Sequence, residues 1–163
     1  MKSAVTLRRF FPAAACGLLA VALLPLASAQ NAQAPIEEPA LARSADDASL
    51  QWGPCPAFLP EGCGIAVLHG DPSKPNVDIL FRVPGKSEIP LHTHTSAERM
   101  ILVAGELHVT YQDQETARLT AGMYAYGPPT RPHSAACISD VPCVLFIAFE
   151  APLDAIPSGT AKP

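Results

Sequence analysis

From Leu50 onward the chain falls into apolar runs of four to seven residues, each stopped by Gly or Pro, and none carries a capped helical stripe. In Val77–Val83, Val77, Ile79, Phe81 and Val83 alternate with Asp78, Leu80 and Arg82. In Glu106–Tyr111, Leu107, Val109 and Tyr111 alternate with Glu106, His108 and Thr110. A period of two puts successive side chains on opposite faces of a strand. Further strands are expected at Ile65–Leu68, Leu91–His94, Glu98–Ala104, Met123–Tyr126, Ser134–Ser139 and Val144–Glu150. Many short strands separated by Gly and Pro turns specify an all-β sandwich or barrel. Trp52–Pro54 and Phe58–Pro60 read as an extended arm that packs on it.

The ends of the chain differ in texture. Lys2, Arg8 and Arg9 precede an apolar stretch from Phe10 to Leu26, followed by Ala27-Ser28-Ala29. A basic start, an apolar middle and an A-x-A site describe a signal peptide over residues 1–29. A membrane anchor is the competing reading, but 17 residues containing Pro12 and Pro25 fall short of the roughly 20 that a span needs. Residues 30–48, rich in Ala, Pro and acid, are expected to be a flexible linker. The barrel and its arm then occupy 49–151, and 152–163 form a loose tail. Cleavage at 29 would remove three of 11 basic residues and none of 15 acidic ones, leaving a net charge of −7. That balance argues against nucleic acid as a partner, and against a membrane once the signal is removed.

Four cysteines then remain, Cys55, Cys63, Cys137 and Cys143. An even number in an exported chain, periplasmic or secreted, favours two disulfides. Of three possible pairings the local ones are preferred. Cys55 and Cys63 bracket CPAFLPEGC, and Cys137 and Cys143 bracket ISDVP, a hairpin-like connection. The alternative for Cys137 is a free thiol, four residues after His133.

The chemistry-bearing residues are His92, His94 and Glu98 in LHTHTSAERM, and His133 in PPTRPHSAAC. His92 and His94 share strand parity, Glu98 keeps it, and His133 follows 35 residues later. Three imidazoles and a carboxylate suit one divalent first-row metal with positions left for water or substrate. His69 and His108 read as structural. Tyr111, Tyr124 and Tyr126 read as packing, each with a polar tip at a wet edge.

These residues lie within a wider pattern. GKSEIPLHTHTSAERMILVAG, Gly85 to Gly105, resembles the first motif of the cupin superfamily, G-x5-H-x-H-x3,4-E-x6-G, with one extra residue in the first spacer. GMYAYGPPTRPHSAAC, Gly122 to Cys137, resembles the second, G-x5-P-x-G-x2-H-x3-N, with Thr130 in place of the glycine and Cys137 in place of the asparagine. The resemblance covers roughly residues 65–150, and neither replacement falls on a ligand position. It implies a single cupin β-barrel, a double-stranded β-helix or jelly roll. It also implies Mn, Fe, Ni, Cu or Zn held by His92, His94, Glu98 and His133. The arm resembles that of a small, exported bacterial subgroup with no agreed reaction.

The functional expectation is an exported, metal-dependent oxidoreductase of dioxygenase type acting on a small organic substrate. The alternative is a non-catalytic protein that holds a metal or a small ligand. An isomerase or lyase is less favoured, since only Tyr124, Tyr126 or His108 could be nominated as an extra acid or base. A homodimer is a family-level expectation.

Overall fold

The computed structural model describes residues 38–159; the expected signal peptide lies outside the described residues, as does the start of the expected linker. Eleven strands and no helix make up the described residues. They are β1 (Trp52–Pro54), β2 (Gly64–His69), β3 (Val77–Val83), β4 (Ser87–Thr93), β5 (Glu98–Ala104) and β6 (Glu106–Tyr111). Next come β7 (Ala117–Thr120), β8 (Tyr124–Gly127), β9 (His133–Cys137), β10 (Cys143–Phe149) and β11 (Ile156–Pro157). One sheet has the order β1-β2-β3-β10-β5-β8 and the other β11-β4-β9-β6-β7, with every pairing antiparallel. This is the expected all-β jelly roll.

The core lies between the sheets and follows the alternation in the sequence. β10 buries Cys143, Leu145, Ile147 and Phe149, and β6 buries Leu107, Val109 and Tyr111. β3 departs from strict alternation because Leu80 is also buried. On its outer face Leu80 joins Leu50 and Ala66 in a second apolar cluster, against which Ala45 and Trp52 pack. A buried leucine such as Leu50 or Leu80 contributes roughly 1.5–3 kcal/mol by leaving water.

Two expectations about the flanks are corrected by this packing. The linker was expected to run to residue 48, yet Ala45 is part of the second cluster and Leu50 N donates to Asp47 O at 3.1 Å. The tail was expected to be loose from Pro152. Instead Leu153 packs on the main core, Leu153 N donates to Pro72 O at 2.9 Å, and β11 pairs with β4. Low apolar content hid both, because one or two well-placed side chains are enough to anchor a short segment that also finds backbone partners.

Both local cysteine pairs, Cys55–Cys63 and Cys137–Cys143, are disulfides, so Cys137 is not a free thiol. The second staples the β9–β10 connection. That connection is not the expected hairpin, because β9 and β10 belong to different sheets and it crosses between them. The bridge lies beside Gly105. There a φ of 85° and the Cys143 Sγ, 2.8 Å from where a Cβ would stand, leave room only for glycine.

Candidate metal centre

The centre is assembled from both sheets. His92 on β4 stands opposite His133 on β9, and His133 stands opposite Tyr111 on β6, so the three form one row across the second sheet. A bulge between Ile89 and His92 shifts the β4 register, and His94 follows just after the strand. Glu98 opens β5 in the other sheet, paired with Phe149 and Gly127. All four side chains are buried. The three imidazoles offer nitrogen atoms within 4.8 Å of one another. Glu98 stands beside them, with Oε1 3.2 Å from His94 Nε2 and Oε2 3.3 Å from His133 Nε2.

Hydrogen bonds behind the rings orient them. His92 Nδ1 donates to Pro90 O at 2.7 Å, His133 Nδ1 donates to Arg131 O at 3.1 Å, and His94 Nδ1 donates to Asp154 O. With Nδ1–H spent on a carbonyl, a neutral ring keeps its lone pair on Nε2. A carbonyl behind each ligand histidine is the arrangement that fixes ring and tautomer around a metal. His94 owes its carbonyl to the C-terminal segment. Asp154 is held in turn by Thr95, whose N donates to Oδ1 at 2.9 Å and whose hydroxyl donates to Oδ2.

Burial moves the acids and bases in opposite directions. It lowers His94 to about 4 and His133 to about 3, the latter helped by the neighbouring His92, and it lowers His92 as well. It raises Glu98 to about 8, with a further push from the Asp154 charge. Among the described residues no Arg or Lys lines the space around these groups to compensate the carboxylate. His94 Nε2 and Glu98 Oε2 are buried without a hydrogen-bond partner. A buried polar atom left unpaired costs about 1–3 kcal/mol. A divalent cation would satisfy both atoms and restore the carboxylate charge, so the donor set fits the expected metal.

Two spaces flank the cluster. The outer pocket, about 210 Å³, is walled by Leu59, Ile65, Ile79, Phe149 and Leu153, with His92, His94, Glu98 and Asp154 at its polar end. The inner chamber, about 40 Å³, is bounded by His92, Glu98 and His133 on one side and by apolar core on the others.

The remaining nominated residues lie elsewhere. Tyr124 and Tyr126 are exposed on the edge strand β8. His108 reaches Glu106 at 3.9 Å. Tyr111, read from sequence as packing with a wet tip, is buried to the hydroxyl, which has no partner. Its oxygen and Glu98 Oε2 lie 2.9 and 3.1 Å from the point a Cβ on Gly127 would occupy. The sequence signal for both Tyr111 and Asp154 was weak: parity alone for the first, and a Pro-containing tail for the second.

Comparison with known proteins agrees with this geometry. A family model described as a cupin domain matches residues 79–149. The DMSP lyase DddQ from Ruegeria pomeroyi DSS-3 superposes with a TM-score of 0.58 at 19% identity, over 67% of this chain and 61% of that one. An RmlC-like cupin from Shewanella frigidimarina NCIMB 400 gives 0.52 at 21% identity, over 64% and 86%. Oxalate decarboxylase from Bacillus subtilis gives 0.52 at 22%, over 61% and 28%. The chain therefore spans about three fifths of the lyase's length, and at these identities the likeness is one of fold. No curated protein matches.

Proposed function

Starting from a chain whose residues 79–149 match a cupin-domain model and whose fold is cupin-like, we propose that it is an exported, metal-dependent oxidoreductase of dioxygenase type acting on a small organic substrate. His92, His94, His133 and Glu98 would hold one divalent ion. The observation that carries the reading is the pair of unpartnered buried atoms, His94 Nε2 and Glu98 Oε2, inside a set of rings already oriented by carbonyls. When bound, the metal would supply Lewis acidity and, for a redox-active ion, electrons.

The protein's own groups define what could react there. The outer pocket is smaller than the roughly 300–1,000 Å³ of drug-sized sites, which limits the ligand to a small molecule. Its aliphatic and phenyl walls favour an apolar body and exclude water. Only one end of that body reaches the histidines, so an enolate, thiolate or carboxylate there would meet the metal. Glu98 can hold a proton at neutral pH and release it when a cation arrives. The Asp154 carboxylate is engaged by Thr95 and serves orientation. Two disulfides suit an oxidising compartment, which supports export.

The second reading is a holding protein that binds a metal or small ligand without turnover. It is favoured by the absence of any further acid–base residue among those lining the outer pocket beyond Glu98 and the engaged Asp154. Metal analysis after purification from the periplasm, then oxygen uptake against enols, thiols and flavonoids, separates the two. Uptake with any panel member supports the oxidoreductase. A fully loaded zinc protein inert to the whole panel would leave the holding role.

A further inference from the structure

The inner chamber lies beyond the histidine–glutamate cluster, deeper between the sheets than the outer pocket. His92 and Glu98 border both spaces, whereas His133 borders only the inner one and His94 only the outer one. Phe81 and Ile147 border both as well, so the larger and the smaller compartment adjoin at the cluster and these two side chains. Ile89, Met100, Leu107, Val109, Leu119 and Leu145 make the smaller compartment's walls. They come from β4, β5, β6, β7 and β10, so both sheets contribute. None of these six carries a hydrogen-bonding side chain beyond the weakly accepting Met100 thioether.

Size and polarity select the occupant. At about 40 Å³ the chamber exceeds the roughly 10–15 Å³ one water requires but is too small for an organic substrate. A buried water needs 2–4 polar partners. The only ones here are His92, Glu98 and His133, and a metal would claim their lone pairs. The chamber therefore stays dry, and transfer of a small apolar solute into it from water is favourable. We propose that this chamber is a binding site for a small apolar gas molecule of the size of dioxygen, held against the His133 side of the metal centre while the organic ligand occupies the pocket against His94. It deepens the oxidoreductase reading and rests on it both for the metal that keeps the chamber dry and for the use made of the gas. Two ligands would then approach one centre without competing for one space: the polar-ended organic molecule through the outer pocket, the gas from the apolar interior.

The test needs no knowledge of the reaction. Crystals of the zinc-loaded mature chain, pressurised with xenon, should show one xenon among Leu107, Leu119 and Leu145. Dissolved dioxygen, which is paramagnetic, should speed the relaxation of the methyls of those three residues in solution well beyond that of the equally buried Val77 and Val83, which line neither space. Leu119→Phe should fill the chamber and reduce xenon occupancy about tenfold without changing metal stoichiometry. If that larger ring prevents folding, Ala135→Val trims the same space and should lower occupancy more modestly. Ordered water in the chamber, or uniform oxygen relaxation of all buried methyls, overturns the proposal. Zinc content is read on the same crystals, so a chain that takes up no zinc reports a failed metal assignment, and a zinc-loaded chain whose chamber holds water or no xenon reports a failed gas site.

Discussion

Two histidine–carboxylate clusters occupy opposite faces of the β4-β9-β6-β7 sheet, and they differ in what compensates the carboxylate. On the outer face Glu106 accepts from Arg118, with Nη2 at 2.8 Å, and His108 lies 3.9 Å away. The arginine holds the Glu106 carboxyl below its ordinary value. On the inner face Glu98 is buried among three imidazoles with no arginine, and its carboxyl rises to about 8. The same residue types give a solvated ion pair in one place and an unsatisfied set of donors in the other. Histidine beside glutamate is thus uninformative by itself. What points to a metal is burial, oriented rings and missing countercharge together.

Removing a ligand should break the inner cluster most severely. His94→Ala is expected to lower metal affinity by on the order of 10²-fold or more, while circular dichroism retains the strand signal. Its neighbours are the three ligands and Phe149, so the main core stays intact. Stoichiometric metal in that variant would refute the ligand assignment. Ending the chain after Ala151 should act next most strongly. It deletes the Asp154 carbonyl behind His94 and the Leu153 wall together. Loss of a hydrogen-bond partner behind a ligand costs about 10–100-fold in affinity. An unchanged dissociation constant would make the segment a bystander.

Proton release provides a sharper measurement. At pH 7 the three imidazoles are neutral, because burial lowers them, and Glu98 is protonated, because burial raises it. An arriving cation must displace the Glu98 proton. Affinity should therefore rise about tenfold per pH unit between roughly pH 5 and pH 8, then level off. The metal-free protein should behave in the opposite sense. Its unfolded chain loses the Glu98 proton near 4.5 while the fold keeps it to about 8, so this group's contribution falls as pH rises across that window. It governs the net slope above about 6.5, where the histidines no longer titrate in the unfolded chain. The histidines give the second limb: the unfolded chain gains protons below 6.5 that the fold refuses, so stability falls with acid. Glu98→Gln should flatten both the affinity slope and the alkaline limb. Calorimetry in buffers of different ionisation enthalpy counts the proton directly, and a count of zero at pH 7 would contradict the raised Glu98.

The sequence allowed much of this to be read, and physical reasons separate the readable from the hidden. β3 and β6 were located to the residue because one buried face imposes a period of two, and β5 because its apolar run ends at Gly105. That His92, His94, Glu98 and His133 come together was legible because parity and spacing survive any loop conformation; their role as ligands remains the proposal. β7 was missed: within Ala117–Thr120 only Leu119 is buried, too little for a pattern. Asp154 was missed because its contribution to the centre is a backbone carbonyl, which no residue type encodes. Tyr111 had the correct parity, but parity says only that a side chain points inward, not how far from the mouth it ends.

Thr130 offers a smaller effect away from the chemistry. It stands where the family pattern has glycine, and it holds a left-handed φ of 61°. A β-branched residue is strained there. Strain of about 1–3 kcal/mol is offset in part by the greater freedom that glycine gives the unfolded chain. Thr130→Gly should therefore stabilise by about 1 kcal/mol in urea unfolding. Thr130 N donates to His94 O at 2.8 Å, and glycine retains that bond, so metal affinity should not change. Destabilisation would show that the threonine side chain makes up its strain elsewhere.

The smallest expected effect tests the comparison itself. Glu106→Gln removes the outer carboxylate charge, and with it the pairing to Arg118 and His108, on the same β6 that brings Tyr111 to the centre. The side chains of Glu106 and Tyr111 face opposite ways, and those around Glu106 are solvated, so the field of that charge is screened before it reaches Glu98. Metal stoichiometry, dissociation constant and the proton count at pH 7 should all match those of the unaltered protein. A shift in the proton count would mean that the two faces communicate through the sheet. The raised Glu98 carboxyl would then depend on outer-face charge, and the contrast between a compensated and an uncompensated carboxylate would no longer suffice to identify the metal centre.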